Sequence, residues 1–152
     1  MAFKMNKMSD THLLPPADDL TEDAHRRLQE LNSRIQSHAG SWGEQHGGNK
    51  DENGVIEFPY WSQSPLIGEI VEFMYNYDLV ITFDWGAWEE GRQWYKSEDE
   101  SKYEKLDTEM ALKLLTAVIR NDRFNEGALV NSFESGDFPK IINKFVSLRG
   151  NN

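Results

Sequence analysis

Between Met110 and Ile119 only two polar side chains occur, Lys113 and Thr116. Coiled as a helix, this run is apolar on nearly every side, and such a helix has to be enclosed by other elements rather than laid on a surface. A chain of 152 residues that contains it is expected to wrap further helices around it, and the length suits one domain with a real core. Asp107, just upstream, has the right chemistry for its N-cap.

The enclosing helices can be read from their periodicity. Leu20, Ala24, Leu28, Leu31, Ile35 and Ala39 recur at steps of three or four, which stacks them on one helical face. Thr21 is the expected cap of this helix, Gly40 its stop, and its thin apolar stripe predicts an outer position. Ser64-Pro65 is a second entrance, a hydroxyl followed by proline in the first turn, ahead of Leu66, Ile67, Ile70, Val71, Phe73 and Met74. Asp84 is expected to cap a helix that presents Trp85 and Trp88 on one side. Asn125 is expected to open a helix ending at Gly136, and Asp137 the last one, with Phe138, Ile141, Ile142, Phe145 and Val146 facing in. The fold class is therefore mainly α: one compact domain of about six helices over residues 20–149, with at most a minor short β pairing.

The segments between are less regular. Residues 1–19 contain Pro15-Pro16 and Asp18-Asp19 without a sustained period and read as a flexible N-terminal lead-in. Gly40 to Gly54 carries five glycines and almost nothing to bury, which predicts a long glycine-rich loop, disordered or acting as an ordered lid. Val55 to Phe58 and the β-branched Leu79 to Phe83 are the expected extended pieces, and they are candidates to pair with each other. Lys96 to Asp107, a mixed charge run, reads as a solvated loop or a frayed helix end.

Charge and composition exclude several functions. The formal charge is −10, made of 22 acids and 10 bases before residue 110 and 4 acids and 6 bases after it. Nucleic acid is not an expected partner, because phosphate contacts need clustered Lys and Arg, and Lys140 and Lys144 on the final helix are too few. No run approaches the length of a membrane span. With no cysteine and no export signal, a cytoplasmic protein is expected. His12, His25, His38 and His46 lack the spacing of a metal site, so neither metal nor cofactor is expected. Ser135 lies outside any G-x-S-x-G turn, and no histidine follows His46 to serve it.

The stretch "IRNDRFNEGALVNSFESG", Ile119 to Gly136, concentrates the remaining chemistry. Glu134 falls in the last turn of its helix, where the dipole disfavours a carboxylate, and Arg120 and Arg123 precede that helix. Two readings follow. In one, an Arg/Glu tie to Glu134 or Glu126 locks a helix junction above buried Phe124 and Phe133; in the other, Arg120 and Arg123 form an anion site. Together with "PYW" and "FDWGAW", this stretch resembles a bacterial and phage family defined as domain of unknown function 6508, over roughly Gly54 to Leu148. The resemblance implies no activity, ligand or catalytic residue.

The candidate ligand-binding residues are thus Arg120, Arg123, Glu126, Glu134, Asp84, Trp85 and Trp88. A noncatalytic binding or regulatory module for a protein partner or a small anionic ligand is the expected function. The alternative is a small enzyme using Asp84, Glu126 or Glu134 as acid/base beside an arginine, which requires at least two carboxylates to converge on an open pocket.

Overall fold

A computed structural model describes residues 20–150; the lead-in expected over 1–19, with His12, lies outside the described residues. In chain order the elements are α1 (Glu22–Gln36), β1 (Gly43–His46), β2 (Tyr60–Gln63), α2 (Pro65–Asn76), a 3-10 turn (Trp85–Ala87), α3 (Glu89–Lys96), a second 3-10 turn (Glu100–Tyr103), α4 (Thr108–Asn121), α5 (Ala128–Ser135) and α6 (Asp137–Gly150). The fold is mainly α, with six helices and one two-stranded antiparallel sheet among the described residues.

Helix α4 is enclosed, as its composition demands. Asp107 caps it through a 2.8 Å bond from the Met110 amide, and Ala111, Leu112, Leu114, Leu115 and Ile119 are buried against α5 and α6. Its two polar interruptions are both accommodated. Thr116 is buried because its hydroxyl accepts the Ile81 N–H at 3.1 Å, and Lys113 lies over the Phe83 and Trp88 rings while pairing with Glu109 at 3.2 Å. Each fully buried Leu or Ile here contributes about 1.5–3 kcal/mol.

Helix α6 buries Phe138, Ile141, Ile142 and Phe145 and packs on α4, α1 and α5. Thr21 caps α1 through the Ala24 amide at 3.1 Å, as expected. Helix α1 does more than lie outside: Ala24, Leu28, Leu31 and Ile35 enter the core, and buried Asn32 donates to Asn143 of α6 at 3.0 Å. Glu69 of α2 accepts two bonds from Arg34, at 3.0 and 2.9 Å, and one from Arg27 at 3.1 Å, clamping α1 to α2. Arg34 holds the Glu69 carboxyl below the usual carboxylate range. Among the described residues no helix is long and apolar enough to cross a membrane.

Four expectations are corrected. The glycine-rich stretch 40–54 contains β1, and with β2 it forms one limb of a long hairpin that pairs Glu44 with Ser62 and His46 with Tyr60. Pairing continues outward, the Gly48 amide donating to Glu57 O at 2.6 Å and the Asp51 amide to Val55 O at 2.9 Å. Glycine is required in this limb: at Gly47, φ is +80° and a Cβ would meet Phe58 O at 2.2 Å.

The pairing of 55–58 with 79–83 does not occur. Leu79 and Ile81 are buried and their amides are spent on Met74 O and the Thr116 hydroxyl, leaving no ladder to donate to. Asp84 heads only the short 3-10 turn and makes no side-chain cap bond, because α3 begins at Glu89. Helix α5 begins at Ala128 rather than Asn125; Gly127, at φ +97°, makes the turn, and Asp122 accepts the Leu129 amide at 3.1 Å.

Candidate functional site

The Trp pair is positioned by packing against glycine and lysine. Trp88 meets Phe83 edge-on at 5.2 Å between ring centroids and lies across Gly91, where any Cβ would fall 2.3 Å from the indole. Gly91 is thus the reason Trp88 can fold back over the first turn of α3. Trp85, one turn earlier, is half-buried and leans toward exposed Phe124 at 6.1 Å. Together they form one wall of a cleft of about 510 Å³.

The opposite wall comes from α4, α5 and the start of α6. Ala117, Val118 and Asn121 line it from one face of α4, Ala128, Asn131, Ser132 and Ser135 from α5, and Asp137 from α6. Volume and character match an ordinary small-molecule site, mostly apolar with a few polar groups.

The polar groups fall into two sets. Arg92 donates to Gly86 O and to Glu89 at 3.4 Å, Ser135 Oγ donates to Ser132 O at 3.1 Å, and one Asp137 oxygen accepts the Tyr103 hydroxyl at 2.5 Å. By contrast, the Asn121 and Asn131 amides make no side-chain hydrogen bond among the described residues, and Ser132 Oγ is buried without a partner. Leaving a buried hydroxyl unsatisfied costs about 1–3 kcal/mol.

Burial, with Asp137 second, raises the two phenols nearest Asp137. Tyr95 donates to Leu114 O at 3.0 Å; burial, then the Asp137 charge, hold its phenol well above the usual range. Burial, then the hydrogen bond to Asp137, do the same for Tyr103. Both are neutral donors at any ordinary pH.

Of the candidates read from sequence, the cleft gathers Trp85 and Trp88. Asp84, Arg120, Arg123, Glu126 and Glu134 do not line it. Neither arginine ties to Glu126 or Glu134. Arg120 lies over the Tyr75 ring at 5.8 Å, and Arg123 and Glu126 are exposed, with no ion pair among the described residues. Glu134 accepts instead from the Trp42 amide and from Ser41 Oγ at 3.2 Å, so the hairpin base offsets its position at the helix end. Phe124 is exposed rather than buried, whereas Phe133 is buried against Phe138 and Trp42.

Sequence reasoning missed Arg92, Asn121, Asn131, Ser132 and Asp137 as lining residues. Ser132 carried a signal, a small polar residue between Val130 and Phe133 on an apolar helix. So did Ala117, Val118 and Asn121, whose i, i+1, i+4 spacing makes one face. A second cleft of about 360 Å³ includes Asp99, Lys102 and Asp107, but these are spent: Asp99 and Asp107 cap helices, and Lys102 donates to Trp94 O and Ser97 O at 3.1 and 2.7 Å.

No similarity to a curated protein or to a solved structure was found. A family model does match, over residues 20–151 and hence nearly the whole chain, and on that match the chain belongs to a family of unknown function, DUF6508.

Proposed function

We propose that the protein is a noncatalytic cytoplasmic binding module whose cleft takes a small, flat ligand bearing hydrogen-bonding groups on its edge and an anionic group. One observation carries this reading: the Trp85 and Trp88 wall faces polar side chains with unspent capacity, Asn121, Asn131 and buried Ser132. A carboxamide offers a donor and an acceptor side by side, which suits a heterocycle edge, and an indole face suits its ring. Arg92, the one cation of the cleft lining, would have to exchange its 3.4 Å pairing with Glu89 for the ligand's anionic group. The enzyme alternative needs two carboxylates beside an arginine, and Asp137 is the one acid of the cleft lining.

The test is a thermal-shift and tryptophan-fluorescence screen of nucleosides, nucleotides and aromatic carboxylates. A ligand of this class is expected to bind. Trp85→Ala is expected to weaken it about tenfold or more at nearly unchanged melting temperature, since Trp85 is half-exposed. Ser132→Ala is expected to weaken binding while leaving stability level or higher, because it removes an unsatisfied hydroxyl. Binding unaffected by either change, or no binding across the screen, sinks the reading.

A further inference from the structure

The hairpin beyond the sheet is an exposed apolar arm. Val55, Ile56, Phe58 and Tyr60 are 62%, 59%, 87% and 50% accessible, and every residue from 48 to 60 is exposed. Single exposed hydrophobics are ordinary, but four within six positions, with Ile56, Phe58 and Tyr60 at the two-residue spacing of one strand face, are a concentration of the kind that marks an interaction site.

The two edges of the arm differ. Trp42 O accepts the Ser64 amide at 2.7 Å, and the register then pairs Glu44 with Ser62 and His46 with Tyr60. By the alternation of an antiparallel ladder, Gly43 and Gln45 turn their backbone groups outward from β1, and Trp61 and Gln63 turn theirs outward from β2. On β1, Ser41 covers Gly43, its hydroxyl accepting the Gly43 amide at 3.2 Å and sharing its one proton between the Gly43 carbonyl at 2.8 Å and Glu134 at 3.2 Å, so that of the outward residues only Gln45 stays open on that strand. On β2 nothing among the described residues covers the corresponding groups of Trp61 and Gln63. A sheet edge left open in this way is a template for another strand.

Charge decides what kind of strand. Glu52 and Glu57 flank the apolar strip, their side chains with no partner among the described residues, against Lys50 alone, while Asp51 is taken up by the Asn53 and Val55 amides and Glu44 lies 3.6 Å from His46. A second copy would bring those acids against their own duplicates on a chain of charge −10, which is unfavourable.

We propose that the arm takes up an extended segment of another protein as a third strand along β2. Its lysines or arginines meet Glu52 and Glu57, and its apolar side chains lie along Phe58 and Tyr60. This site is separate from the cleft, so either reading can fail without the other.

The experiment uses three fluorescent peptides on the full chain: one alternating lysine with valine and tyrosine, one of equal charge with prolines replacing the valines, and one with glutamate replacing lysine. The first is expected to bind at least about tenfold more tightly than either control. Binding is expected to weaken as salt rises and to protect the Trp61 and Gln63 amides from exchange. The exposed double variant Phe58→Ser/Tyr60→Ser, checked for an unchanged amide fingerprint, is expected to lose that advantage. Equal binding of the proline peptide means charge attraction alone and overturns the proposal. So does absence of binding by the first peptide, protection elsewhere than β2, or a dimer in sedimentation whose Trp61 and Gln63 amides are already protected.

Discussion

Gly127 is fixed by two independent requirements. Its φ of +97° is in the left-handed region, and a Cβ there would stand 2.6 Å from the Trp61 indole, which rests on the α4–α5 turn. Gly40 supplies the comparison, with φ +85° and nothing within 4 Å of a Cβ. Backbone strain alone costs about 1–2 kcal/mol, and forcing an atom into a packed contact adds about 1–3 kcal/mol. Gly40→Ala is therefore expected to cost about 1–2 kcal/mol, and Gly127→Ala about 2–5 kcal/mol, in urea denaturation. Equal costs would mean that the Trp61 contact contributes nothing. Neither role could be read from the sequence, because a glycine announces a turn but not the ring that arrives from 66 positions earlier.

At the scale of elements, the hairpin is fastened to α5 at its base by Glu134, which holds the Trp42 amide and the Ser41 hydroxyl. Removing that acceptor leaves the Trp42 N–H of a buried residue without its partner. Glu134→Ala is expected to destabilise the fold by about 1–3 kcal/mol. Arg123→Ala, at an exposed side chain, is expected to stay within about 0.5 kcal/mol, and the double variant should be additive. A coupling between positions 123 and 134 in thermal melts would restore the arginine tie.

Helices α1, α2 and α4 were legible because each carries a cap and an apolar stripe that act locally: Thr21, Ser64 and Asp107 all cap as their positions suggest, whereas α3 and α5, which have no side-chain cap, begin later than their sequences suggest. What the sequence concealed was long-range. Leu79 to Phe83 has strand composition, yet Thr116, 35 positions away from Ile81, takes the amide a strand would have used. Gly43 to His46 has little strand propensity and pairs because β2 crosses it. Likewise Trp85 and Trp88 stood out as aromatic, while Asn121, Asn131 and Asp137 join them only when α4, α5 and α6 are packed.

Across the whole molecule, the raised phenols of Tyr95 and Tyr103 make alkaline stability a global property. Both side chains join different parts of the fold, Tyr95 reaching Leu114 of α4 and Tyr103 reaching Asp137 of α6. Their folded pKa values lie above the ordinary phenol value of about 10, so the folded state keeps protons that the unfolded chain gives up. The stability they contribute is whole below about pH 10 and falls as pH rises beyond it. Urea midpoints are expected to drop across that boundary, and Tyr95→Phe should flatten the drop, since its shift comes chiefly from burial. Parallel curves for the variant and the parent would remove these phenols as the cause.

The first and last described helices meet, through Asn32 and Asn143, across 111 positions of chain. During synthesis, α1 leaves the ribosome before α2 and can pair with it as soon as both are out, yet the apolar face of α1 lacks its other cover until α6 emerges. From the emergence of α1 until α6 follows it, a nascent chain thus carries an apolar surface still waiting for its cover, and a chaperone that shields such surfaces finds on α1 a target that outlasts the folding of α2.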